Sequence, residues 1–190
     1  MNIPWILVSL RFAIAPMLLL DALDGETGMG FLVGYVIAVL SDIFDGIIAR
    51  RLQVSTAALR QADSWADISL YLCIAVSTWL VHPGVIIAFQ IPLLIAIAFQ
   101  LVLFAISLLK FGKLPSFHTY TAKAWGITLV VAVVGLFGYG WTAGLWGAIG
   151  LCLLNSTEEI IMTLILPHWT HDVLSLGHAL QLRNHSSEAS

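Results

Sequence analysis

The chain has 190 residues, of which 59% are hydrophobic and only 10% charged, with a mean hydropathy of +0.96 and a formal net charge of −3. Soluble domains carry roughly 25% charged residues, so this composition excludes an ordinary water-soluble fold, and its charge balance gives no ground for a nucleic-acid partner. The expected surroundings are a lipid bilayer; at about 20 residues per spanning helix the length holds about six spans and little else.

Apolar segments fall near residues 4–22, 29–49, 65–81, 85–109, 122–141 and 144–166. Turn chemistry separates them: Asp24-Gly25-Glu26, His82-Pro83-Gly84, the stretch from Phe111 to Pro115, and the stretch from Gly138 to Gly144. Segments of this length read as helices, whereas a closed barrel shows short alternating strands. The expected fold is therefore all-α, a polytopic membrane protein with six transmembrane helices forming one domain over residues 1–166, followed by a polar tail over 167–190. Trp5, Trp65, Trp79, Trp141 and Trp169 lie near expected span ends, where aromatic belts form.

The first span contains Arg11, and its apolar run is long enough to cross; it lacks the basic start and small-residue cleavage site of a signal peptide. Arg50, Arg51 and Arg60 follow the second span, and Lys110, Lys113 and Lys123 surround the loop between the fourth and fifth. The loops after spans one, three and five carry no basic residue, so the positive-inside rule puts both termini on the cytoplasmic side. Cys73 and Cys152 fall mid-span and read as free thiols. Gly144, Gly147 and Gly150 read either as a surface for close helix approach or as ordinary packing glycines. The tail, with four histidines, reads as interfacial and then disordered.

Chemistry concentrates between spans two and three, in S-D-I-F-D-G-I-I-A-R-R-L-Q-V-S-T-A-A-L-R-Q-A-D-S-W-A-D. Asp42 and Asp45 are i, i+3 and Asp63 and Asp67 are i, i+4, so each pair shares one helix face. An ionised carboxylate in hydrocarbon costs several kcal/mol, so such groups face a polar cavity or find partners, and they usually mark function. Four carboxylates from adjacent helices suit a hard divalent cation. Gly46 and Ala49 leave a flat surface one turn on, and the planar fork of Arg50 suits phosphate oxygens. Together these residues suggest a bound diphosphate and phosphoryl-type transfer. Two other readings use the same residues: aspartates that cap helix ends at the membrane surface, and a cation site in a transporter.

The segment closely resembles the signature of the CDP-alcohol phosphotransferase family, D-x2-D-G-x2-A-R-x8-G-x3-D-x3-D. Asp42, Asp45, Gly46, Ala49, Arg50, Asp63 and Asp67 match it in type and spacing, and Leu59 stands where the signature has its second glycine. The resemblance implies an integral membrane enzyme that moves a substituted phosphate from a CDP-linked donor, usually CDP-diacylglycerol, to an alcohol with release of CMP. It implies Mg2+ or Mn2+ held by Asp42, Asp45, Asp63 and Asp67, with Asp67 also the general base. CDP contacts would come from Asp42, Gly46, Ala49, Arg50 and Asp63. A homodimer is implied by the resemblance alone; the expected location is a bacterial inner membrane, with the aspartates placed on the cytoplasmic side by the same positive-inside rule as the termini. Leu59 would crowd the nucleotide surface, with Ala57, Ala58 or Ala62 supplying clearance.

Two parts of the chain point to different acceptors. Asn2-Ile3-Pro4 with Arg11 and Pro16, and Ala49-Arg50-Arg51, resemble bacterial phosphatidylglycerophosphate synthases and favour glycerol 3-phosphate. Asp63-Ser64-Trp65-Ala66-Asp67 looks more like phosphatidylserine synthases. Serine, inositol, inositol phosphate and phosphatidylglycerol stay open as alternatives. The cationic candidates for an anionic acceptor are Arg60, Lys110, His118 and Lys123, although loop lysines also serve topology and anionic headgroups. Glu158 and Glu159, in the last span, read first as structural hydrogen-bonding groups or partners of Arg11.

Overall fold

A chain this apolar satisfies its backbone polar groups within helices. The computed structural model describes residues 3–52, 54, 56–117, 119–170 and 173–188, the side chains of 50, 57, 60 and 184–188 excepted. Among them are seven helices and no strand: α1 (Ile3–Asp21), α2 (Met29–Arg51), α3 (Ala57–Val81), α4 (Pro83–Phe111), α5 (Tyr120–Tyr139), α6 (Ala143–Ile165) and α7 (Leu176–Glu188). The first six are long and apolar enough to cross a membrane, and the chain is an integral membrane protein. The largest departure from expectation is the start of α3, eight residues before Trp65. Thr56 caps it there, its hydroxyl accepting from the Leu59 backbone N–H at 3.2 Å.

By internal packing the chain divides into two units, residues 1–88 and 89–190. In the first, α1 packs against both α2 and α3, which touch each other little. The cause is legible on α1: buried Pro4, Val8, Arg11, Ala15 and Leu18 alternate in steps of four and three, the spacing of a continuous packing seam. On α2, a Cβ at Gly34 would lie 3.0 Å from Leu18 Cδ2, so the absent side chain sets how near the two helices come. Large apolar side chains on the opposite faces, such as Met17, Ile37 and Leu72, are exposed, as lipid-facing positions are.

In the second unit α5 and α6 form a hairpin. Gly140 ends α5 in the left-handed region (φ +64°), and Trp141 folds back into a slot made by glycines. A Cβ at Gly135 would sit 2.6 Å from Trp141 Cε3, and one at Gly144 would sit 2.7 Å from Cζ3 and 3.2 Å from Ala132 Cα. A Cβ at Gly147 would lie 3.3 Å from Thr128, whereas Gly150 faces open space; two of the three α6 glycines therefore mark close approach. α4 joins α6 through Phe89 and Trp146, whose ring centroids are 4.9 Å apart, and through Gln100 Nε2 donating to Ser156 Oγ at 3.0 Å. Cys152 is buried and, like Cys73, a free thiol.

Beyond α6, the described residues include the helix α7 and the apolar side chains leading into it. Val173 and Ala179 are buried against Met162 and Leu166, with Leu176, Leu182, Phe111 and Phe117 around them. Residues 173, 176, 179 and 182 recur every third position, so an apolar stripe lies within a polar composition.

Candidate active site

The four aspartates meet around a fifth charged residue, Arg11. Helical register puts Asp42 and Asp45 on one face of α2 and Asp63 and Asp67 on one face of α3. Because α1 packs against both helices, the residue it presents between them becomes the hub. Arg11 Nη1 lies 3.1 Å from Asp42 Oδ1, donates to Asp63 Oδ1 at 3.0 Å, and donates to Asp67 Oδ1; Nη2 donates to Asp45 Oδ2.

Donor counting sorts these contacts. Nη1 has two hydrogens, and the two α3 aspartates take both, so Asp42 is held by charge alone. Arg11 and Asp45 have side-chain exposures of 0% and 5%, while those of Asp42, Asp63 and Asp67 are 41%, 35% and 32%. The site thus has a sealed floor, Arg11 with Asp45, and an open rim of three carboxylates. A guanidinium removed from water this completely persists only because several acceptors surround it.

The aspartates do not lie at helix ends. Asp45 is six residues before the end of α2 and Asp63 six residues after the start of α3, so the site sits about 9 Å or more inside each helix. Arg11 is eight residues into α1, about 12 Å, in the same layer. Sequence reasoning did not place Arg11 in the site and offered it to Glu158 or Glu159 instead. The structure corrects this: Glu158 accepts from Thr121 Oγ1 and from the Leu176 backbone N–H, and Glu159 accepts from Asn155 Nδ2. The signal that finds Arg11 is depth. A lone arginine in an apolar span needs carboxylates at its own level, and Asp42 and Asp45 on the neighbouring antiparallel helix supply them.

Of the other residues singled out in the sequence, Gly46 is half-buried beside Asp45. Ala49 is buried in an apolar cluster with Val8, Leu59 and Ala66 on α1, α3 and α3 respectively. Leu59 therefore fills the junction of three helices, on the surface that the resemblance gives to the nucleotide. Lys110 Nζ donates to the carbonyls of Thr163 (3.0 Å) and Leu164 (2.7 Å), closing the end of α6, and Lys123 is exposed with its ammonium 5.5 Å from the Tyr120 ring centroid. His118 and the side chains of Arg50 and Arg60 lie outside the described residues.

Asp42, Asp63 and Asp67 each offer a carboxylate oxygen, and these oxygens lie within 4.8 Å of one another. Oxygen-bound divalent cations sit about 2.0–2.6 Å from each ligand, so three such oxygens fit one ion. The charge fits too: one guanidinium against four carboxylates leaves three negative charges unmatched, and the contacts to Arg11 use a single oxygen of each rim carboxylate.

A family model described as CDP-alcohol phosphatidyltransferase matches residues 1–169. No curated protein and no solved structure matches the chain significantly. Carboxylates at helical spacing, a fit for a divalent ion, six apolar helices and a match over most of the length agree: the chain belongs to the CDP-alcohol phosphatidyltransferase family, membrane-embedded enzymes that transfer a substituted phosphate group from a CDP-alcohol to an alcohol acceptor.

Proposed function

We propose that this enzyme moves the phosphatidyl group of CDP-diacylglycerol to a small polar alcohol, with glycerol 3-phosphate as the acceptor, and releases CMP. The observation that carries the site assignment is the open rim of Asp42, Asp63 and Asp67 over the buried Arg11–Asp45 floor. Asp42, Asp45, Asp63 and Asp67 are the residues that would hold Mg2+ or Mn2+, the rim oxygens of Asp42, Asp63 and Asp67 being those that fit one ion. A divalent ion held there would offset the charge of the donor diphosphate. Asp42, Gly46, Ala49, Arg50 and Asp63 line the CDP side.

Asp67 accepts the proton of the acceptor hydroxyl on its oxygen not bonded to Arg11. The acceptor oxygen forms a bond to the phosphorus that carries diacylglycerol, and the bond from that phosphorus to the bridging oxygen breaks, so CMP leaves with the electron pair. Arg11 takes no proton in this scheme; it orients the carboxylates from below.

Glycerol 3-phosphate is supported by Asn2-Ile3-Pro4, Pro16 and Ala49-Arg50-Arg51. Its phosphate calls for cations, for which Arg60, His118 and Lys123 are proposed; Lys110 joins them only with the donor left over from closing α6. The six-span region and the segment after it are read as enzyme domain and appendage, with both termini and the site on the cytoplasmic side of a bacterial inner membrane. A homodimer is carried over from the family resemblance.

The test is CMP release by purified protein with CDP-diacylglycerol and Mg2+, run in parallel against glycerol 3-phosphate, serine, inositol, inositol phosphate and phosphatidylglycerol. Turnover with glycerol 3-phosphate alone supports the full reading. Turnover with another acceptor alone replaces the acceptor, and folded protein silent with all five overturns phosphatidyl transfer.

A further inference from the structure

Tyr71 stands where membrane tyrosines are seldom placed. The apolar span of α3 runs over Gln61–Val81, and Tyr71 is at its middle. Belt tyrosines sit at span ends, where the hydroxyl meets water and headgroups. Tyr71 is 50% exposed and lies outside the buried stripe of Ala66, Leu70 and Ile74. A hydroxyl at that depth calls for a polar partner, because leaving it unpaired in hydrocarbon costs free energy.

The neighbouring residues give the direction of that partner. Asp63, Asp67 and Tyr71 follow one another at intervals of four along α3, so they share one face. Aromatic side chains on a helix lean towards its N-terminus, which brings the phenol back towards Asp67. Tyr71 accordingly feels the charges of Asp67 and Asp42, rim carboxylates on α3 and α2. Tyr35, buried on α2 seven residues before Asp42, is on the Asp42 face and interacts in turn with Tyr71. With depth, both helices therefore pass from carboxylates to phenols. Since α2 and α3 pack against α1 and touch each other little, the strip between them is open at Asp42 and Tyr71.

This order suits an amphiphile. With a diphosphate at the rim, the next polar groups of a diacylglycerol moiety towards the lipid are its ester carbonyls, which only accept hydrogen bonds. Ionised carboxylates cannot donate to them, whereas a phenol can. Beyond the esters, acyl chains need only apolar surface, and exposed Leu72 and Val76 on α3 supply it.

We propose that Tyr71 is a substrate-binding residue whose hydroxyl donates to an acyl-ester carbonyl of the CDP-linked lipid, so that the enzyme prefers ester-linked to ether-linked donors. This role rests on the reading of CDP-diacylglycerol as the donor, and it involves residues of the first unit alone.

The test is equilibrium binding to the full-length protein, with Mg2+ present, of CDP-diacylglycerol and of its diether counterpart, which has the same chains without the carbonyls. Tyr71→Phe keeps the ring and its packing, and thermal melting checks the fold. The unaltered protein is expected to bind the diester about fivefold more tightly than the diether, the scale of one neutral hydrogen bond. Tyr71→Phe should weaken diester binding by about the same factor and erase the preference.

Equal weakening towards both lipids overturns the ester contact and assigns Tyr71 to the diphosphate or to Asp67. Unchanged diester affinity in Tyr71→Phe overturns it as well. CMP release is measured beside binding, so the two readings fail separately. Protein that shows the Tyr71-dependent ester preference but releases no CMP loses the proposed transfer and keeps the contact; protein that turns over but is indifferent to Tyr71→Phe loses only the contact. Binding of neither lipid overturns both.

Discussion

Arg11 on α1 donates to Asp63 on α3 at 3.0 Å, and through its other terminal nitrogen the same guanidinium donates to Asp45 on α2. One buried cation thereby ties the central helix of the first unit to both helices that carry carboxylates. Without it four carboxylates would crowd one layer of an apolar bundle with no ion-paired cation among the described residues.

Replacing Arg11 by Met is therefore expected to destabilise the metal-free protein by about 3–5 kcal/mol, the scale for breaking a buried charge cluster. Saturating Mg2+ should recover part of that loss, because a divalent ion supplies the missing positive charge. Thermal unfolding in detergent with and without Mg2+ reads both effects; equal loss under the two conditions would argue that Arg11 matters only for packing.

Asp67→Asn removes the proposed base while preserving size and the oxygen that faces Arg11. Turnover should fall by about 10²–10⁴-fold, with CDP-diacylglycerol binding retained. The measurement is CMP release beside equilibrium binding of the donor. Parallel collapse of both would assign Asp67 to donor binding instead.

The floor and rim should differ towards metal. Asp63→Asn, on the exposed rim, is expected to weaken Mg2+ or Mn2+ binding more than Asp45→Asn, whose side chain is buried and bonded to Arg11. Asp45→Asn should instead lower stability in the presence of chelator. Calorimetric titration of the metal, with melting in EDTA, separates the two. Equal metal affinities in both variants would mean that Asp45 turns outward when an ion binds.

Leu59 invites a reversal towards the family signature, and packing predicts that the reversal is harmful. Leu59 is 5% exposed and fills the junction with Val8, Ala49 and Ala66. Leu59→Ala should cost about 2–5 kcal/mol, and Leu59→Gly about 1 kcal/mol more because glycine also weakens the helix. Melting temperature and donor KM are the readouts; a Leu59→Gly protein with unchanged melting and tighter donor binding would show that Leu59 only obstructs the nucleotide.

Much of the arrangement is legible without coordinates. Apolar runs of spanning length dictate six helices, because a backbone in lipid satisfies its polar groups only within helices or in a closed barrel, and a barrel shows short alternating strands instead. The spacing of Asp42 with Asp45 and of Asp63 with Asp67 dictates two carboxylate faces, because a helix turns once in 3.6 residues. Other features were hidden for definite reasons. The α3 start was obscured by weak apolar content before Trp65 and depended on the Thr56 cap, a single hydrogen bond. The α7 stripe was diluted by histidines and serines, and its burial depends on Met162 and Leu166 from another helix.

What the sequence by itself determined, then, is the solvent, the helices and the pairing of carboxylates within each helix, all of which follow from local periodicity and the cost of charge in hydrocarbon. Only the tertiary structure decided what stands between those pairs. Arg11 is 52 residues from Asp63 in the chain, and no local rule links them. They meet because the seam of α1 packs against both α2 and α3, which brings its one buried cation to the level of all four aspartates.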